Sequence, residues 1–256
     1  MFNIGLIGKG YWGSKIVREL LKNPLIESLK IASRSSLLQP NDLFKDSKIT
    51  HIFIATPVYT HYELCKQALL AGKHVMCEKN FTETLEQVKE LAEIARERNL
   101  NITIDYIHTF SLPKIDISRV SYIKIEYKQY GRFRNEHVMS ILGSHALSVL
   151  GSIIDLDKIK WKETISCLDS DNQNVTICAT KWTIGDKDIY IDLSLEEEGI
   201  KIRDLTLYNG THCLSSESFA KPNGLYAMID SVLNGGNNTS LALQVTKLVE
   251  QVVQND

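Results

Sequence analysis

Six residues near the start, Gly8-Lys9-Gly10-Tyr11-Trp12-Gly13, carry the spacing Gly-x-Gly-x-x-Gly. The spacing has a physical use when it follows an apolar strand and opens a helix, and here it directly follows the run Asn3–Ile7. Gly8 would permit a tight turn, Gly10 would let the backbone approach a pyrophosphate, and Gly13 would let helix and strand pack closely. The free N–H groups and positive dipole end of the helix would then face the phosphates, with Lys9, Tyr11 and Trp12 completing the loop. The second strand ends Ile31-Ala32-Ser33-Arg34-Ser35-Ser36, without the acidic residue that would bind a ribose diol. Arg34 can pair bidentately with a phosphate, and Ser33 and Ser35 add hydroxyl donors, so NADP(H) is favoured over NAD(H).

These residues must be held by elements whose pattern is legible. Strand candidates at Asn3–Ile7, Ser28–Ser33, His51–Ala55, His74–Cys77 and Asn101–Asp105 alternate with helical patterns at Gly13–Lys22, Thr60–Ala71 and Thr84–Asn99. Such alternation implies α/β architecture, a doubly wound parallel sheet with helices on both faces. After Pro113 the texture changes. Ser121–Tyr130 sets Tyr122, Lys124, Glu126 and Lys128 against Ile123, Ile125 and Tyr127, the pattern of a sheet with one wet face. Further strands are predicted at Trp161–Leu168, Asn174–Thr183, Asp188–Leu195 and Lys201–Tyr208, with turns at Gly185-Asp186, Glu198-Gly199 and Asn209-Gly210. Helices are predicted at His137–Gly151, Gly224–Leu233 and Ser240–Gln254. The expected division is residues 1–112 for the parallel-sheet domain and 113–256 for an α+β substrate and dimerisation domain with a mostly antiparallel open sheet.

Composition narrows the function classes. The 256 residues are 43% hydrophobic and 23% charged with a net charge of −2, which gives no general attraction to nucleic acid or anionic membrane. The five cysteines are scattered, and neither C-x-x-C nor zinc-finger spacing occurs, so no metal site is expected and the thiols are read as reduced. The N-terminus enters a strand-like run without a basic leader, and no run of about 20 apolar residues spans a bilayer; the expectation is a cytoplasmic protein.

Asn3–Leu20 resembles the opening of the glucose-fructose oxidoreductase/inositol dehydrogenase/MocA (Gfo/Idh/MocA) oxidoreductases. So does Ile54–Lys79, with Ala55-Thr56-Pro57, His61, and Gly72-Lys73-His74-Val75 leading into Cys77-Glu78-Lys79. Asp105-Tyr106 through Phe110 and Pro113 resembles the family's aromatic junction segment, and Gly143-Ser144-His145 its His-bearing helix. The resemblance is dense over residues 1–113 and thin afterwards. It implies a Rossmann domain, a second domain whose sheet covers the nicotinamide, and reversible hydride transfer at a sugar-like hydroxyl or ketone. The Tyr-Trp-Gly form of the loop resembles members acting on sugars and nucleotide sugars. By position, Ala55, Thr56, Pro57 and His61 would lie along the cofactor, with Glu78 and Lys79 near the nicotinamide ribose and the substrate. Lys79 is also the chemical choice for catalysis, because an ammonium beside a reacting oxygen stabilises alkoxide character. His145, with an ordinary pKa near neutrality, is the matching acid–base group. Asp105, Tyr106 and His108 are candidate substrate contacts.

Three departures bear on catalysis. The family's Glu-Lys-Pro is Glu78-Lys79-Asn80 here, and Ile141 stands four residues before His145 where many members carry Asp. The second domain also looks shorter than usual. Asp105, Tyr106, His108 and His137 are the residues that would replace the missing relay. The leading expectation is an NADP(H)-dependent oxidoreductase of a sugar or nucleotide sugar, a homo-oligomer and by expectation a dimer. The alternatives are a catalytically silent NADP(H)-binding sensor or accessory protein, and an imine or tetrapyrrole reductase.

Overall fold

In the computed structural model, residues 1–130, 136–168, 174–195, 199, 201–219 and 223–256 are described. The aliphatic runs near the start form five parallel strands, β1 (Phe2–Ile7), β2 (Ile26–Ala32), β3 (His51–Ile54), β4 (His74–Cys77) and β5 (Ile102–Ile104), in the order β2-β1-β3-β4-β5. Helices α1 (Tyr11–Leu20), α2 (Pro40–Lys45), α3 (His61–Leu70) and α4 (Leu85–Arg98) are the crossovers. Every residue of β3 is buried, which explains why His51-Ile52-Phe53-Ile54 reads as a continuous run rather than an alternating one. The order reverses direction between β1 and β3, and a doubly wound sheet opens its crevice at the carboxyl ends of such strands. The short α2 was not expected; Pro40 and a Gln39–Asp42 capping box define it without a long apolar period.

The chain divides into two compact units. The first unit is Met1–Ile107 with Asn223–Thr246; the second is His108–Pro222 with Lys247–Asp256. The return of the late segment has a structural cause. Helix α6 (Gly224–Leu233) packs on α1, and Asn238 then pairs with the free edge of β5. Asn238 Oδ1 accepts from Ile104 N at 2.7 Å and Nδ2 donates to Ile104 O at 2.9 Å, while Thr103 Oγ1 donates to Gly236 O at 2.7 Å. A polar side chain thus covers an edge that would otherwise expose unpaired backbone groups.

In the second unit β6 (Tyr122–Gln129), β7 (Lys160–Leu168), β8 (Val175–Ile184), β9 (Lys187–Ser194), β10 (Lys201–Asn209) and β11 (His212–Ser218) form a sheet in the order β11-β10-β6-β9-β8-β7. Among the described residues, only β6 and β9 of this sheet pair in parallel. The alternation in β6 holds: Ile123, Ile125 and Tyr127 are buried, while Lys124, Glu126 and Lys128 lie on the other face. There Lys124–Glu126 at 2.9 Å and Lys128–Asp192 at 2.8 Å run as a chain of ion pairs. The expected single helix over His137–Gly151 is instead a π-helical turn, Met139–Gly143, leading into α5 (Ser144–Gly151). The closing helix α7 is Thr239–Asn255. Of the predicted turns, Glu198 lies outside the described residues.

Candidate cofactor and catalytic site

The loop after β1 shows which glycines fold it and which leave it open. Gly8 has φ +93°, a region only glycine enters cheaply, and a Cβ there would lie 2.3 Å from the Ala55 carbonyl oxygen. A Cβ on Gly13 would lie 2.1 Å from the Gly8 oxygen. Gly10 differs: a Cβ there would meet no atom within 4 Å. Gly10 is also the N-cap of α1, without a side-chain capping bond, and the first turn of α1 carries no acid. Its N–H groups and dipole are therefore available to an anion, and the open space beside Gly10 fits the pyrophosphate of a dinucleotide. Lys9 and Tyr11 are exposed, and the Lys15 ammonium lies 4.3 Å from the Tyr11 ring centroid and 4.7 Å from that of Trp12.

At the end of β2, Ser36 Oγ accepts from Ser33 N at 2.7 Å, and Ser33 Oγ lies 3.3 Å from Ser35 Oγ, which fixes a tight turn. Arg34 is exposed on that turn. At the end of β3, Ala55 and Thr56 are half-buried and Pro57 exposed, and Thr60 Oγ1 lies 2.7 Å from both Thr56 Oγ1 and Pro57 O. His61 is buried. Its Nε2 lies 2.8 Å from Thr56 O and its Nδ1 2.8 Å from Asn80 O, so both ring nitrogens are engaged by main chain. Burial holds this ring below its ordinary pKa against the upward pull of those carbonyls. His61 therefore ties the Thr56 turn to the Asn80 turn.

The end of β4 meets the end of β5 through charge. Glu78 Oε2 accepts from Lys79 N at 2.8 Å, and a cis peptide bond joins Lys79 to Asn80. Asp105, immediately after β5, is buried, and its Oδ2 accepts from Trp12 Nε1. Burial and the Asp105 charge push the Glu78 carboxyl well above the usual carboxylate range, against the Lys79 ammonium. Burial raises Asp105 to about 6, opposed by its bonds to Trp12 and Glu78 and by Lys79. Gly8–Gly13, Ala55–Pro57, Glu78, Lys79 and Asp105 thus all follow directly on the carboxyl ends of β1, β3, β4 and β5. Tyr106 is buried and its phenol is pushed up by burial.

His108 and His145 belong to the second unit, where they meet. Their ring centroids are 4.9 Å apart, and His145 also packs on Tyr127 at 5.5 Å. Phe219 closes the cluster against His108 at 5.2 Å and Tyr127 at 5.8 Å, and its carbonyl lies 2.9 Å from His108 Nδ1. Arg203 stacks on Tyr127 at 5.0 Å and donates to Gln129 Oε1 at 2.9 Å. Sequence reasoning missed Tyr127, Phe219 and Arg203; only the inward register of β6 and β10, which pairs Tyr127 with Arg203, could have signalled two of them. His137 is used otherwise. Its Nδ1 accepts from Met139 N at 3.0 Å and its Nε2 faces Asp256 Oδ2 at 2.9 Å, so it caps the π-helical turn. Ile141 is buried within that turn. Among the described residues no cluster of His, Cys, Asp and Glu could hold a metal ion, and no helix is long and apolar enough to cross a membrane.

Residues 2–106 match the oxidoreductase family described as having an NAD-binding Rossmann fold, Gfo/Idh/MocA. The oxidoreductase YdgJ of Escherichia coli is 37% identical over 106 residues, covering 36% of this chain and 31% of that protein. D-xylose 1-dehydrogenase (NADP(+)) of Hypocrea jecorina is 31% identical over 123 residues, covering 38% and 32%. The chain therefore spans about a third of the length of these curated relatives. UDP-N-acetylglucosamine 3-dehydrogenase GnnA of Acidithiobacillus ferrooxidans superposes with TM-score 0.81 at 17% identity, over 98% of this chain and 96% of that one, which is a likeness of fold. Residues 2–106, the parallel-sheet part of the chain, are thus similar to the Gfo/Idh/MocA oxidoreductase family.

Proposed function

We propose that the protein is an NADP(H)-dependent oxidoreductase that interconverts a hydroxyl and a carbonyl on a sugar or nucleotide sugar. The observation that carries this reading is the open Gly10 cradle at the end of β1, in the same unit as the Glu78–Lys79 pair at the end of β4. A bound nicotinamide dinucleotide supplies hydride chemistry that no side chain can. Gly8, Lys9, Gly10, Tyr11, Trp12 and Gly13 hold its pyrophosphate, and Arg34 with Ser33 and Ser35 takes the 2′-phosphate. Ala55, Thr56 and Pro57 line the next stretch, and His61 sets the shape of their turn from beneath. Lys79 polarises the substrate oxygen and His145 exchanges the proton. The sugar class is supported by the names of D-xylose 1-dehydrogenase and UDP-N-acetylglucosamine 3-dehydrogenase.

Fluorescence titration tests the cofactor. NADPH binds more tightly than NADH, and Arg34→Ala weakens NADPH by about ten-fold or more, the scale of a lost charge-assisted contact, while leaving NADH unchanged. Tighter NADH binding by the wild type would refute the assignment. For catalysis, Lys79→Ala lowers turnover of a keto-sugar by roughly 10²–10³-fold at saturating NADPH. A second reading, a silent NADP(H)-binding protein, is favoured by one observation: the buried apolar Ile141 where a relay carboxylate would stand. Tight NADPH binding without consumption across a broad keto-sugar panel would select it.

A further inference from the structure

Asp105 touches two parts of the first unit that are far apart in sequence. Its Oδ2 accepts the indole N–H of Trp12, in the first turn of α1 and 93 residues away. Its Oδ1 is buried without a hydrogen bond of ordinary geometry, and the carboxyl facing Asp105 is that of Glu78. The charged and titratable groups around it are Glu78, Lys79 and Cys77, with the buried phenol of Tyr106 next in the chain. Asn238 and Thr103, from the elements along β5, are uncharged.

Two carboxylates held together in a buried place cannot both ionise, so one proton is shared between them. Main-chain pairing brings the two residues together: Asp105 N donates to Cys77 O at 2.9 Å at the end of the β4–β5 ladder, next to Glu78, and burial with the Asp105 charge raises Glu78. Asp105 accepts from the Trp12 N–H, and Lys79 supplies charge that compensates the pair. Adding a second proton to the pair removes the charge that strengthens the Trp12 bond. Trp12 flanks the open Gly10, and the Lys79 N–H is held by Glu78 Oε2, so Asp105 reaches the Gly10 loop directly and the Lys79 backbone only through its neighbour Glu78.

We propose that Asp105 is a positioning residue that locks the phosphate loop, through Trp12, to the Glu78–Lys79 segment, so that seating a dinucleotide and the proton count of the carboxyl pair are coupled. The inference rests on the dinucleotide reading above, and it assigns Asp105 a role toward the cofactor site rather than the substrate contact expected from sequence. Asp105→Asn is the informative variant: its side-chain oxygen still accepts from Trp12, but it cannot share a proton. Trp12→Phe keeps the ring and removes the donor.

Calorimetric titration of NADP+ between pH 5 and 8, in buffers of different ionisation enthalpy, measures affinity and protons exchanged together. In the wild type, affinity falls on acidification and binding exchanges protons. Asp105→Asn loses most of that proton exchange while remaining folded by circular dichroism, and Trp12→Phe weakens NADP+ by about ten-fold, the scale of a lost hydrogen bond to a charged group. The tryptophan emission of the ligand-free wild type changes across the same pH range, and Asp105→Asn abolishes that change. An Asp105→Asn protein with the wild-type proton exchange and emission profile, or a Trp12→Phe protein with wild-type affinity, overturns the coupling while leaving the dinucleotide reading intact. A wild type that binds neither NADP+ nor NAD+ overturns that reading and the coupling with it.

Discussion

A methyl group on Gly8 would press to 2.3 Å from the Ala55 carbonyl oxygen, whereas one on Gly10 would meet no protein atom within 4 Å. Gly8→Ala therefore also suffers a φ of +93° and is expected to destabilise the fold by about 2–3 kcal/mol or more. Gly10→Ala is expected to change stability by less than about 1 kcal/mol, an N-cap effect, while abolishing dinucleotide binding because its methyl occupies phosphate space. Thermal melts with and without NADP+ separate the two: equal melting points for both variants would contradict this division. The same contrast runs through Gly72-Lys73-His74-Val75, legible in the sequence as a family-like motif. Lys73 Nζ is buried against the carbonyls of Asp46 at 2.7 Å and Ile49 at 2.8 Å, Gly72 has φ +74°, and His74 stacks on His51. The motif is structural, and nothing in its residue types distinguishes a lysine that staples loops from one that meets a substrate.

Among the elements, α4 was the most legible, and its ends explain why. Thr84 accepts from Gln87 N at 3.3 Å, the Gln87 side chain returns to the Thr84 N–H, and Asn99 ends the helix in the left-handed region at φ 55°. Thr84→Ala is expected to cost about 1 kcal/mol, read as a lower urea midpoint at unchanged NADP+ affinity. Strand β11 was not legible. Its sequence His212-Cys213-Leu214-Ser215-Ser216-Glu217-Ser218 has almost no apolar alternation, because it is a largely exposed edge strand held to β10 by backbone pairing. The π-helical turn was missed for a related reason. A helical period announces an apolar stripe, not which carbonyl each N–H selects, and the cap from His137 and the tight Met139–Gly143 contact are local choices.

At the scale of the whole molecule, stability against acid depends on a histidine pair at the amino ends of β3 and β4. His51 and His74 stack with ring centroids 4.8 Å apart, and Phe2 meets His51 edge-on at 5.3 Å. Burial, with a smaller push from His74, lowers His51 to about 4, and burial lowers His74. A histidine whose folded pKa is depressed is neutral in the folded state and charges more readily in the unfolded chain. Its stabilisation is complete above about 6.5 and is lost as pH falls towards 4, by up to about 3 kcal/mol for His51. Asp105, raised to about 6, acts in the opposite sense, since its protonation below that pH relieves a buried charge. The readout is therefore a difference: His51→Gln should lose less stability than the wild type between pH 7 and 5 in urea denaturation, and equal losses would contradict the assignment. The sequence by itself determined the alternating strands and helices, the glycine loop and the absence of an acid after β2, because each rests on local periodicity or on a backbone requirement within a few residues. Only the tertiary structure decided that residues 223–246 return to the first unit, that His108 meets His145, and that Asp105 bridges Trp12 and Glu78. Those are contacts between residues far apart in sequence, selected by which buried edges and charges need partners, and no short-range pattern encodes that selection.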